Sequence, residues 1–411
     1  MAVHVNLADY ALFADGPPHE VFDKLRADQP VHWSTTDERS SRGGGFWSLT
    51  RYNDIAEVSR DNRMFCSAQG ISLPNLPGFA ESQRDMLIFT DPPEHARLRK
   101  LLSRSFTPRV VERFETWIRE VTAEVIDRAV GRAEFDFVAE ISRQIPPWVL
   151  ARAIGVPEDM SQQIVTWAND VFDHASVGNF AGYFETATKI HEYVLELREQ
   201  KRRVPTVDLT SELALAESRG HLLSDAEYVN YMQLLLTAGV ETTQTLMSNL
   251  MAMVLADEQI ERDVVAAVRA GDARAVTEEF LRMITPAMHF CRTATEDTEV
   301  GGQRIRAGEY VAMWFVAGNR DPEVFVDPHR FDPYRFDPHR FSGSVRQPGP
   351  MLSFGAAGGH YCMGSHLARI EGQVFIEEMF TRGRRWALAG DVARRPSVFV
   401  NTIASIPVTH G

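Results

Sequence analysis

The longest run of mostly apolar residues lies just past the middle of the chain, between positions 224 and 256. Ser224 and Glu227 precede it with the spacing of a capping box, in which the serine hydroxyl accepts from the third helical amide and the glutamate reaches back. About 30 residues follow without a proline, apolar on most helical faces. The pattern predicts a buried helix roughly 45 Å long, enough to cross a domain of this size.

The centre of this predicted helix departs from the pattern. Residues 237–243 read Thr-Ala-Gly-Val-Glu-Thr-Thr, and their glycine, threonines and valine are weaker helix formers than alanine or leucine. The carboxylate of Glu241 costs free energy in apolar surroundings unless it is solvated or partnered. We predict a widened turn at Gly239 against which a ligand lies, with Glu241 and Thr242 as an acid and an alcohol for moving protons. The alternative is an incidental polar notch.

A shorter helix is predicted over residues 277–286, ended by Pro286. Glu279 and Arg282 are three residues apart on it, so they share a face and can pair. A buried pair needs further partners, and Arg330 is the candidate that we predict.

The segments that follow alternate in the manner of strands. Residues 292–317 are interrupted by glycines, which predicts two or three short strands. Residues 327–341 repeat a five-residue unit rich in Asp and Pro, which predicts a string of turns. Together the elements favour a mainly α fold with small β-sheets.

Composition and charge limit the number of domains, the location and the partners that the sequence allows. With 411 residues and 44% hydrophobic content the chain can bury a large core, and no linker or low-complexity tract divides it, so we expect one domain over 1–411. The N-terminus lacks the pattern of a signal peptide, and no run approaches the ~20 apolar residues of a membrane span. Three cysteines without paired spacing fit a reducing cytosol, and the net charge of -13 argues against nucleic-acid binding. These features predict a soluble cytoplasmic protein.

One segment is basic in spite of the acidic total. Between His95 and Arg113 seven basic side chains stand against the single acid Glu112. The segment is either a solvated helix face or a docking surface for an acidic partner, whose approach the charges would steer.

Candidate chemistry concentrates at Cys362, in the glycine-rich segment 353–364. A helical pattern starts directly after it, so a thiolate there would feel the positive end of the helix dipole, which favours its ionised form. The glycines let backbone amides and a flat ligand come close, and a cation lies two residues earlier. A single thiolate in such a loop is how proteins hold haem iron through sulfur.

Other interpretations of Cys362 depend on the same residues. A zinc site or an iron–sulfur cluster would need several cysteines or a Cys-x-x-Cys pair, which the chain lacks. A buried structural thiol is the usual state of a cysteine, but the glycines, His360 and the following helix favour haem. A nucleophilic cysteine stays open, because His360 is too near in sequence to argue either way.

Together these segments resemble the cytochrome P-450 superfamily of haem-thiolate monooxygenases, over nearly the whole chain and in the family's order. The acid–alcohol motif is similar to residues 238–243, the Glu-x-x-Arg motif to 279–282, the meander to 319–332 and the cysteine loop to 354–364. Residues 91–99 also resemble the helix that reaches the haem in bacterial members. One such motif is a weak signal, whereas five in the correct order are a strong one.

The resemblance implies roles by position, with haem b held between the long central helix and the cysteine-loop helix. Cys362 would be the axial thiolate on the iron, while Thr242 would position dioxygen and Glu241 would feed protons towards it. The cations that hold the propionates would be His95, Arg99, Arg292 and His360. The cysteine loop would contribute Phe354, Gly358 and Gly364, and the structural triad behind it would be Glu279, Arg282 and Arg330.

One spacing departs from the family. Phe354 lies eight residues before Cys362, whereas the family's aromatic lies seven before its cysteine. The additional small residue lies between Phe354 and Gly358, because Gly358 and His360 keep the usual offsets. We therefore expect a proximal loop longer by one residue, with altered packing of Phe354 on the sulfur.

The function that the resemblance implies is insertion of one oxygen atom of O2 into a hydrophobic small molecule, by hydroxylation or epoxidation. Electrons derived from NAD(P)H would arrive through a separate ferredoxin and ferredoxin reductase, since no flavin or iron–sulfur module is visible. Two alternatives remain: a peroxide-driven or non-oxidative haem-thiolate enzyme, which does not need the acid–alcohol pair, and a haem-binding sensor or carrier without turnover. The ferredoxin would dock near Arg97, Lys100, Arg104 and Arg109.

The substrate pocket is the least determined part. Its mostly apolar lining suggests a terpenoid, steroid, fatty or alkyl, or polyketide-like ligand. Residues 285–294 also resemble bacterial members that act on alkyl chains, terpenes and steroid side chains, although most of these residues are equally compatible with core. The predicted lining is Ile71, Leu73, Leu234, Ala238, Met288, His289 and Thr402.

Overall fold

The computed structural model describes residues 5–36, 44–74, 79–103, 106–176, 179–218, 221–337, 349–381 and 385–411. Helices dominate these ranges, as predicted. They are α1 His19–Asp28, α2 Tyr52–Arg60, α3 Phe79–Ser82, α4 Glu94–Leu102, α5 Pro108–Val111, α6 Glu115–Ala129, α7 Ile145–Ala153, α8 Glu158–Ser176, α9 Phe180–Arg203, α10 Leu209–Ala214, α11 Asp225–Ala256, α12 Glu258–Ala270, α13 Ala273–Ile284, α14 Phe315–Gly318 and α15 Ser365–Phe380. Short 3-10 turns lie at Tyr10–Phe13, Leu87–Phe89 and Glu112–Phe114, and a π-helical turn at Val138–Ser142.

The strands form small sheets. They are β1 Val31–Thr35, β2 Gly45–Leu49, β3 Phe65–Cys66, β4 Glu134–Asp136, β5 Glu217–Ser218, β6 His221–Leu222, β7 Phe290–Ala294, β8 Thr298–Val300, β9 Gln303–Ile305, β10 Tyr310–Met313, β11 Trp386–Leu388, β12 Ala393–Arg394, β13 Ile403–Ser405 and β14 Pro407–His410. A five-stranded sheet has the order β1-β2-β10-β7-β3, with β2 and β10 parallel and the other neighbours antiparallel. A second sheet has the order β11-β14-β4, and β5–β6, β8–β9 and β12–β13 are pairs.

The region between α13 and α14 has more strands than the two or three predicted, namely β7, β8, β9 and β10. Gly301 and Gly302 have φ angles of +56° and +81°. This backbone conformation is accessible to glycine and closes a tight hairpin between β8 and β9. Gly301 and Gly302, predicted to interrupt a strand, therefore form the turn of a separate hairpin.

The long central helix is confirmed as α11. Its capping box is formed, since the Glu227 amide donates to the Ser224 hydroxyl and the Ser224 amide donates to the Glu227 carboxylate. The first half of the helix packs into a core cluster with α8 and α9, and the second half into another with α6, α13 and α15. Neither α11 nor any other helix in the described ranges is long and apolar enough to cross a membrane.

The predicted widened turn at Gly239 does not interrupt α11, which is continuous through residues 237–243. The local departure is made by a side chain: the hydroxyl of Thr242 donates to the carbonyl of Ala238 at 2.6 Å. Such a bond to the carbonyl four residues back competes with the helical amide. Ala238 is exposed although it lies midway along a largely buried helix. A cleft therefore borders this turn.

A buried ion-pair cluster surrounds Glu279 on α13. The side chains of Glu279 and Arg282 are both 0% exposed, and Arg282 donates two hydrogen bonds to the carboxylate at 2.7 and 2.9 Å. The third nitrogen of Arg282 donates to the carbonyls of Asn319 and Pro328, each at 2.8 Å. Because the charges and the remaining donors are all partnered, the cluster can persist in the core.

The further partner of this cluster is Arg335, and the prediction of Arg330 is wrong. Arg335 is buried, and its Nε donates to both oxygens of Glu279 at 3.0 Å. The side chain of Arg330 is 64% exposed and approaches Asp327 and Asp332 at 3.9 Å each. Both arginines occupy the same place in consecutive five-residue repeats, so the local sequence does not separate them, and the path of the turns brings the second one inward.

We expect Arg335→Ala to lower the free energy of unfolding by about 3 kcal/mol, because it leaves part of a buried carboxylate without its partner. Arg330→Ala is the matched control and should change it by less than about 0.5 kcal/mol, since its side chain is exposed. Urea unfolding of both variants measures the difference. Equal losses in the two variants would contradict the assignment of Arg335.

Candidate functional site

Cys362 lies where a loop turns into a helix. Its amide donates to the carbonyl of Phe354 at 2.9 Å, and α15 begins at Ser365 with Gly364 as its N-cap. Burial raises the pKa of the Cys362 thiol above its ordinary value, and the amides of Gly364 and Ser365 only partly offset this. The amides at the helix end therefore act in the predicted direction, towards ionisation, while burial opposes them, and binding to a metal would deprotonate the thiol.

The loop before the cysteine docks on the end of α2. Gly358 has no room for a side chain, since a Cβ there would lie 2.4 Å from the carbonyl oxygen of Ser59. The amide of Ala356 donates to the Ser59 hydroxyl at 3.3 Å, and its carbonyl accepts from Arg60 at 3.2 Å. Ala357 has a φ angle of +42°, which is uncommon outside glycine. The additional residue of this loop is thus accommodated in a tight turn against α2.

Arg369 on α15 supports the loop and was not identified from the sequence. Its guanidinium carbon lies 4.5 Å from the centre of the Phe354 ring. Its Nε donates to Glu278 on α13 at 2.5 Å. Phe354 is therefore held against α15, the helix that follows the cysteine. The sequence indicated this contact only through the presence of a basic residue on that helix.

Asn319 connects the buried Glu279 cluster to the cysteine loop. Its side-chain oxygen accepts from the amide of Leu352 at 2.6 Å, and its nitrogen donates to the hydroxyls of Ser353 and Thr285 at 2.8 Å. Its carbonyl accepts from Arg282. The sequence marked this residue only as the start of the meander, and its role depends on the packing of three distant segments.

The four side chains predicted to bind propionates come together from three segments. The ring centres of His95 on α4 and His360 in the cysteine loop are 4.0 Å apart. Arg99 donates to a carbonyl of that loop at 2.6 Å. Arg292 on β7 is buried and donates to a neighbouring carbonyl at 2.7 Å.

The surroundings of the two histidines lower the pKa of both imidazoles, and the assignment of all four side chains to the propionates stays a prediction. Burial, followed by the charge of Arg99, lowers the pKa of His95 to about 4. Burial, followed by the charge of Arg292, lowers the pKa of His360 to about 2. A neutral imidazole still donates one N–H to a carboxylate, and an anion placed beside it would raise its pKa.

The hydrogen bonds in this group leave room for an anion. His360 interacts with the Ser67 hydroxyl at 3.1 Å and with the backbone of Thr90. The Nε2 atom of His95 is buried and has no partner among the described residues. Two arginines and an unpartnered imidazole nitrogen fit the paired propionate groups of a haem, because buried cations and donors require anionic or acceptor partners.

Glu241, the acid of the predicted acid–alcohol pair, lies on α11. Burial raises its pKa to about 7, and the positive charge of Arg395 only partly opposes this. Arg395 in turn approaches Asp173 on α8 at 4.0 Å. No local pattern in the sequence pointed to Arg395, which comes from the C-terminal region of the chain.

Two exposed residues deep in the structure mark an internal cleft, Cys362 at the cysteine loop and Ala238 on α11. The Cys362 side chain is accessible, yet protein atoms surround its sulfur closely enough to raise the thiol pKa. A group on the wall of an internal cleft has both properties. No group of three or more His, Cys, Asp or Glu side chains is placed to hold a metal within the described ranges. The single thiolate, the acid–alcohol pair and the cationic group together fit haem b.

Three of the predicted pocket residues keep accessible surface. Ala238 is exposed, and Leu234 and Thr402 are half-buried. Leu234 packs against a buried apolar cluster that contains Ile71, which is itself only 7% exposed and belongs to the core. Leu234, Ala238 and Thr402 remain candidates for contact with a substrate.

Leu73, Met288 and His289 belong to the core and not to the pocket wall. They are 2%, 1% and 0% exposed, whereas a side chain that lines a ligand-sized cleft keeps accessible surface. The Nε2 atom of His289 accepts from the amide of Leu73 at 3.0 Å, so its Nδ1 carries the proton and donates to the carbonyl of Val398 at 2.9 Å. Burial lowers its pKa to about 3. His289 therefore fixes the position of the loop beside the pocket.

The predicted docking residues differ in their surroundings. Lys100 and Arg109 are exposed. The side chain of Arg97 is 19% exposed and is held in ion pairs by two glutamates. Arg104 lies outside the described residues. Within the described ranges, fewer basic side chains are therefore available to a partner than the sequence suggests.

Comparison with known proteins gives one consistent family. The family model described as cytochrome P450 matches residues 163–384. The chain is 32% identical to a steroid C26-monooxygenase of Mycolicibacterium smegmatis, over 88% of this chain and 83% of the relative. It is 31% identical to a methyl-branched lipid omega-hydroxylase of Mycobacterium tuberculosis, over 99% of this chain and 94% of the relative.

Solved structures agree with this assignment. A Mycobacterium marinum cytochrome P450 in complex with pseudoionone has a TM-score of 0.85 and 31% identity, with both chains covered completely. A second cytochrome P450, from Novosphingobium aromaticivorans, has a TM-score of 0.83 and 28% identity over 98% of this chain and 97% of that one. The chain therefore belongs to the cytochrome P450 family of monooxygenases, which use haem b, O2 and NAD(P)H-derived electrons delivered by redox partners.

Proposed function

We propose that this P450 monooxygenase hydroxylates a carbon near the end of a steroid side chain or of a methyl-branched lipid. The observation that carries the proposal is the acid–alcohol pair Glu241–Thr242 beside an internal cleft with the thiol of Cys362. Two relatives with more than 30% identity over most of the chain support the substrate class, since one is named a steroid C26-monooxygenase and the other a lipid omega-hydroxylase. The apolar side chains of Leu234 and Ala238, which keep accessible surface, suit such ligands.

In this proposal Cys362 would hold the iron, and the propionates would be bound by Arg99, Arg292, His95 and His360. When bound, haem with a thiolate ligand supplies the activation of O2 and the transfer of one oxygen atom. The missing side chain at Gly358 lets the loop dock on α2 and sets the position of the cysteine. The backbone of the loop is fixed further by the bond from the Cys362 amide.

Glu241 and Thr242 handle protons on the other side of the cleft. A carboxyl with a pKa of about 7 releases and regains a proton readily near neutral pH. The hydroxyl proton of Thr242 is donated to the Ala238 carbonyl, so its oxygen keeps lone pairs with which to accept a hydrogen bond. Arg395 and Asp173 extend the charged groups from Glu241 towards the surface.

Electrons would arrive from a ferredoxin and its reductase at the surface of α4 and α5. Arg99 on α4 donates to the carbonyl of the residue before Cys362, so this basic surface lies beside the cysteine loop. Lys100 and Arg109 are the exposed cations there. Arg97 contributes less, because its charge is already compensated.

We expect the holoenzyme, supplied with NAD(P)H, a ferredoxin and its reductase, to convert a steroid with an aliphatic side chain or a methyl-branched lipid into a product hydroxylated at the chain end. Mass spectrometry of the products locates the new hydroxyl group. Oxidation of a ring carbon alone, or no product from either class, would refute the proposed substrate class.

In the same assay Lys100→Glu and Arg109→Glu should raise the KM for ferredoxin and weaken its dependence on salt, while kcat changes little. Lys24→Glu, on α1, is a control that reverses a comparable exposed charge. An equal effect of the control would place the docking surface elsewhere.

We expect Thr242→Ala to lower the amount of product per NAD(P)H consumed severalfold, because the hydroxyl that orients the proton donor is lost. Electron consumption itself should continue. Thr243→Ala is the matched control, since Thr243 is the next residue but is buried away from the cleft. Measurement of product, NAD(P)H and peroxide in parallel gives the coupling, and full coupling in Thr242→Ala would exclude the assigned role.

Glu241→Gln should lower the rate of product formation on the order of 10²-fold and remove a titration near pH 7 from the rate profile. A stability measurement checks the pKa independently of turnover. The pKa of Glu241 in the folded protein lies above its ordinary value of 4.5, so the folded protein retains a proton that the unfolded chain releases between pH 4.5 and about 7. Its contribution to stability therefore falls as pH rises through this window, and the glutamine variant should lack that fall.

A further inference from the structure

A partly buried ion pair lies beside the cysteine loop, between α13 and α15. Its members are Glu278 on α13 and Arg369 on α15, whose side chains are 17% and 21% exposed. The guanidinium donates to both carboxylate oxygens, from Nε at 2.5 Å and from one terminal nitrogen at 3.3 Å. Because little solvent surrounds these two charges, water and salt screen them less than they screen charges on the surface.

Hydrogen bonds fix the guanidinium at the end of α15 that is nearest the cysteine. α15 begins at Ser365, three residues after Cys362. The side chain of Arg369 turns back along the helix, and its other terminal nitrogen donates to the carbonyl of Ser365 at 3.2 Å. All three nitrogens of the guanidinium therefore have partners, and the cation has a defined place beside the loop.

The same cation contacts residues of the cysteine loop. Its central carbon lies 4.5 Å from the centre of the Phe354 ring, and the side chain of Tyr361 also interacts with it. The carbonyl of Phe354 accepts from the amide of Cys362. Burial raises the pKa of the Cys362 thiol, whereas the charges of Arg99 and Arg369 act against burial. The electric field of Arg369 therefore reaches the sulfur.

The two charges of the pair have opposite effects on a metal ion bound to that sulfur. Uptake of one electron lowers the positive charge of the metal centre by one. A neighbouring cation therefore favours the reduced state, and a neighbouring carboxylate favours the oxidised state. Glu278 is bound to the guanidinium, so it compensates part of the field of Arg369.

We propose that the Glu278–Arg369 pair sets the reduction potential of the haem iron, with Arg369 raising the potential and Glu278 lowering it. The inference rests on Cys362 as the iron ligand, which the proposed function assigns. It adds to that function the groups that decide how readily the enzyme accepts an electron from its redox partner. Arg369 acts through the cysteine loop and is in this sense a positioning residue.

The reduction potential of the substrate-free holoenzyme tests the pair. Spectroelectrochemical titration uses dithionite as reductant, ferricyanide as oxidant and mediator dyes, with saturating imidazole to give every variant the same distal ligand. A unit charge on the order of 10 Å from a redox centre changes the equilibrium constant about tenfold at an effective dielectric constant of about 20. We expect Arg369→Met to make reduction less favourable by about tenfold, which is a fall of about 59 mV for one electron. Glu278→Gln should shift the potential in the opposite direction.

Three further variants separate the charge from its mechanical support of the loop. Glu278→Gln combined with Arg369→Met removes both charges and should give a potential between those of the single variants. Arg369→Lys keeps the charge and should stay within about twofold of the wild type in the equilibrium constant. Arg119→Met is the matched control, because Arg119 on α6 pairs with Glu377 at 2.6 Å, about two turns farther along α15. It should leave the potential unchanged.

Opposite shifts in the two single variants support the inference, because loosening of the loop would move both potentials in the same direction. Shifts of the same sign, or shifts no larger than that of Arg119→Met, refute it. If Arg369→Met does not bind haem, Glu278→Gln decides, and the absence of an upward shift in that variant refutes the inference.

The wild type separates this inference from the proposed function. If its reduced, carbon monoxide-bound spectrum lacks the band of a thiolate-ligated haem, the assignment of Cys362 fails and the inference fails with it. If the spectrum is that of a thiolate-ligated haem and the chain-end hydroxylated product forms, while the potentials of the variants do not move as expected, the inference alone is refuted.

Discussion

The buried carboxylate of Glu279 is the constraint on which the proximal side of this protein depends. A charge at 0% exposure persists only if cations and donors surround it, and Arg282 and Arg335 both supply them. These arginines also hold carbonyls of the meander, including that of Asn319. Asn319 in turn forms hydrogen bonds with Leu352 and Ser353, where the cysteine loop begins. The position of the Cys362 sulfur therefore depends on a series of contacts that starts at the buried charge of Glu279.

Burial acts on several ionisable groups of the site, and its effect depends on the kind of group. It raises the pKa of the Cys362 thiol and of the Glu241 carboxyl, and it lowers the pKa of His95 and His360. For Glu241 the result is a proton that can move near neutral pH. An iron cation beside the thiol would lower its pKa, and carboxylates beside the imidazoles would raise theirs, so a bound haem would oppose the effect of burial at these groups.

On the side of the cleft that carries α11, hydrogen bonds fix both the acid–alcohol turn and the neighbouring loop. α11 runs unbroken past Gly239, and the Thr242 hydroxyl is fixed by the Ala238 carbonyl. His289 uses both ring nitrogens to join two chain segments beside the pocket, which makes it a support for the pocket and not a contact for the ligand.

The sequence by itself determined what depends on local spacing: the capped central helix, the acid–alcohol turn, the Glu279–Arg282 pair and the glycine-rich loop with Cys362 at a helix start. It could not choose between Arg330 and Arg335, because consecutive repeats give both the same neighbours. It also placed core residues such as Met288 in the pocket and did not reveal the burial that opposes the helix end at the thiol of Cys362, because burial depends on elements distant in the chain. Tertiary structure alone decided which arginine turns inward, which apolar side chains face the cleft and which charges are desolvated, since all three are properties of the surroundings and not of the local sequence.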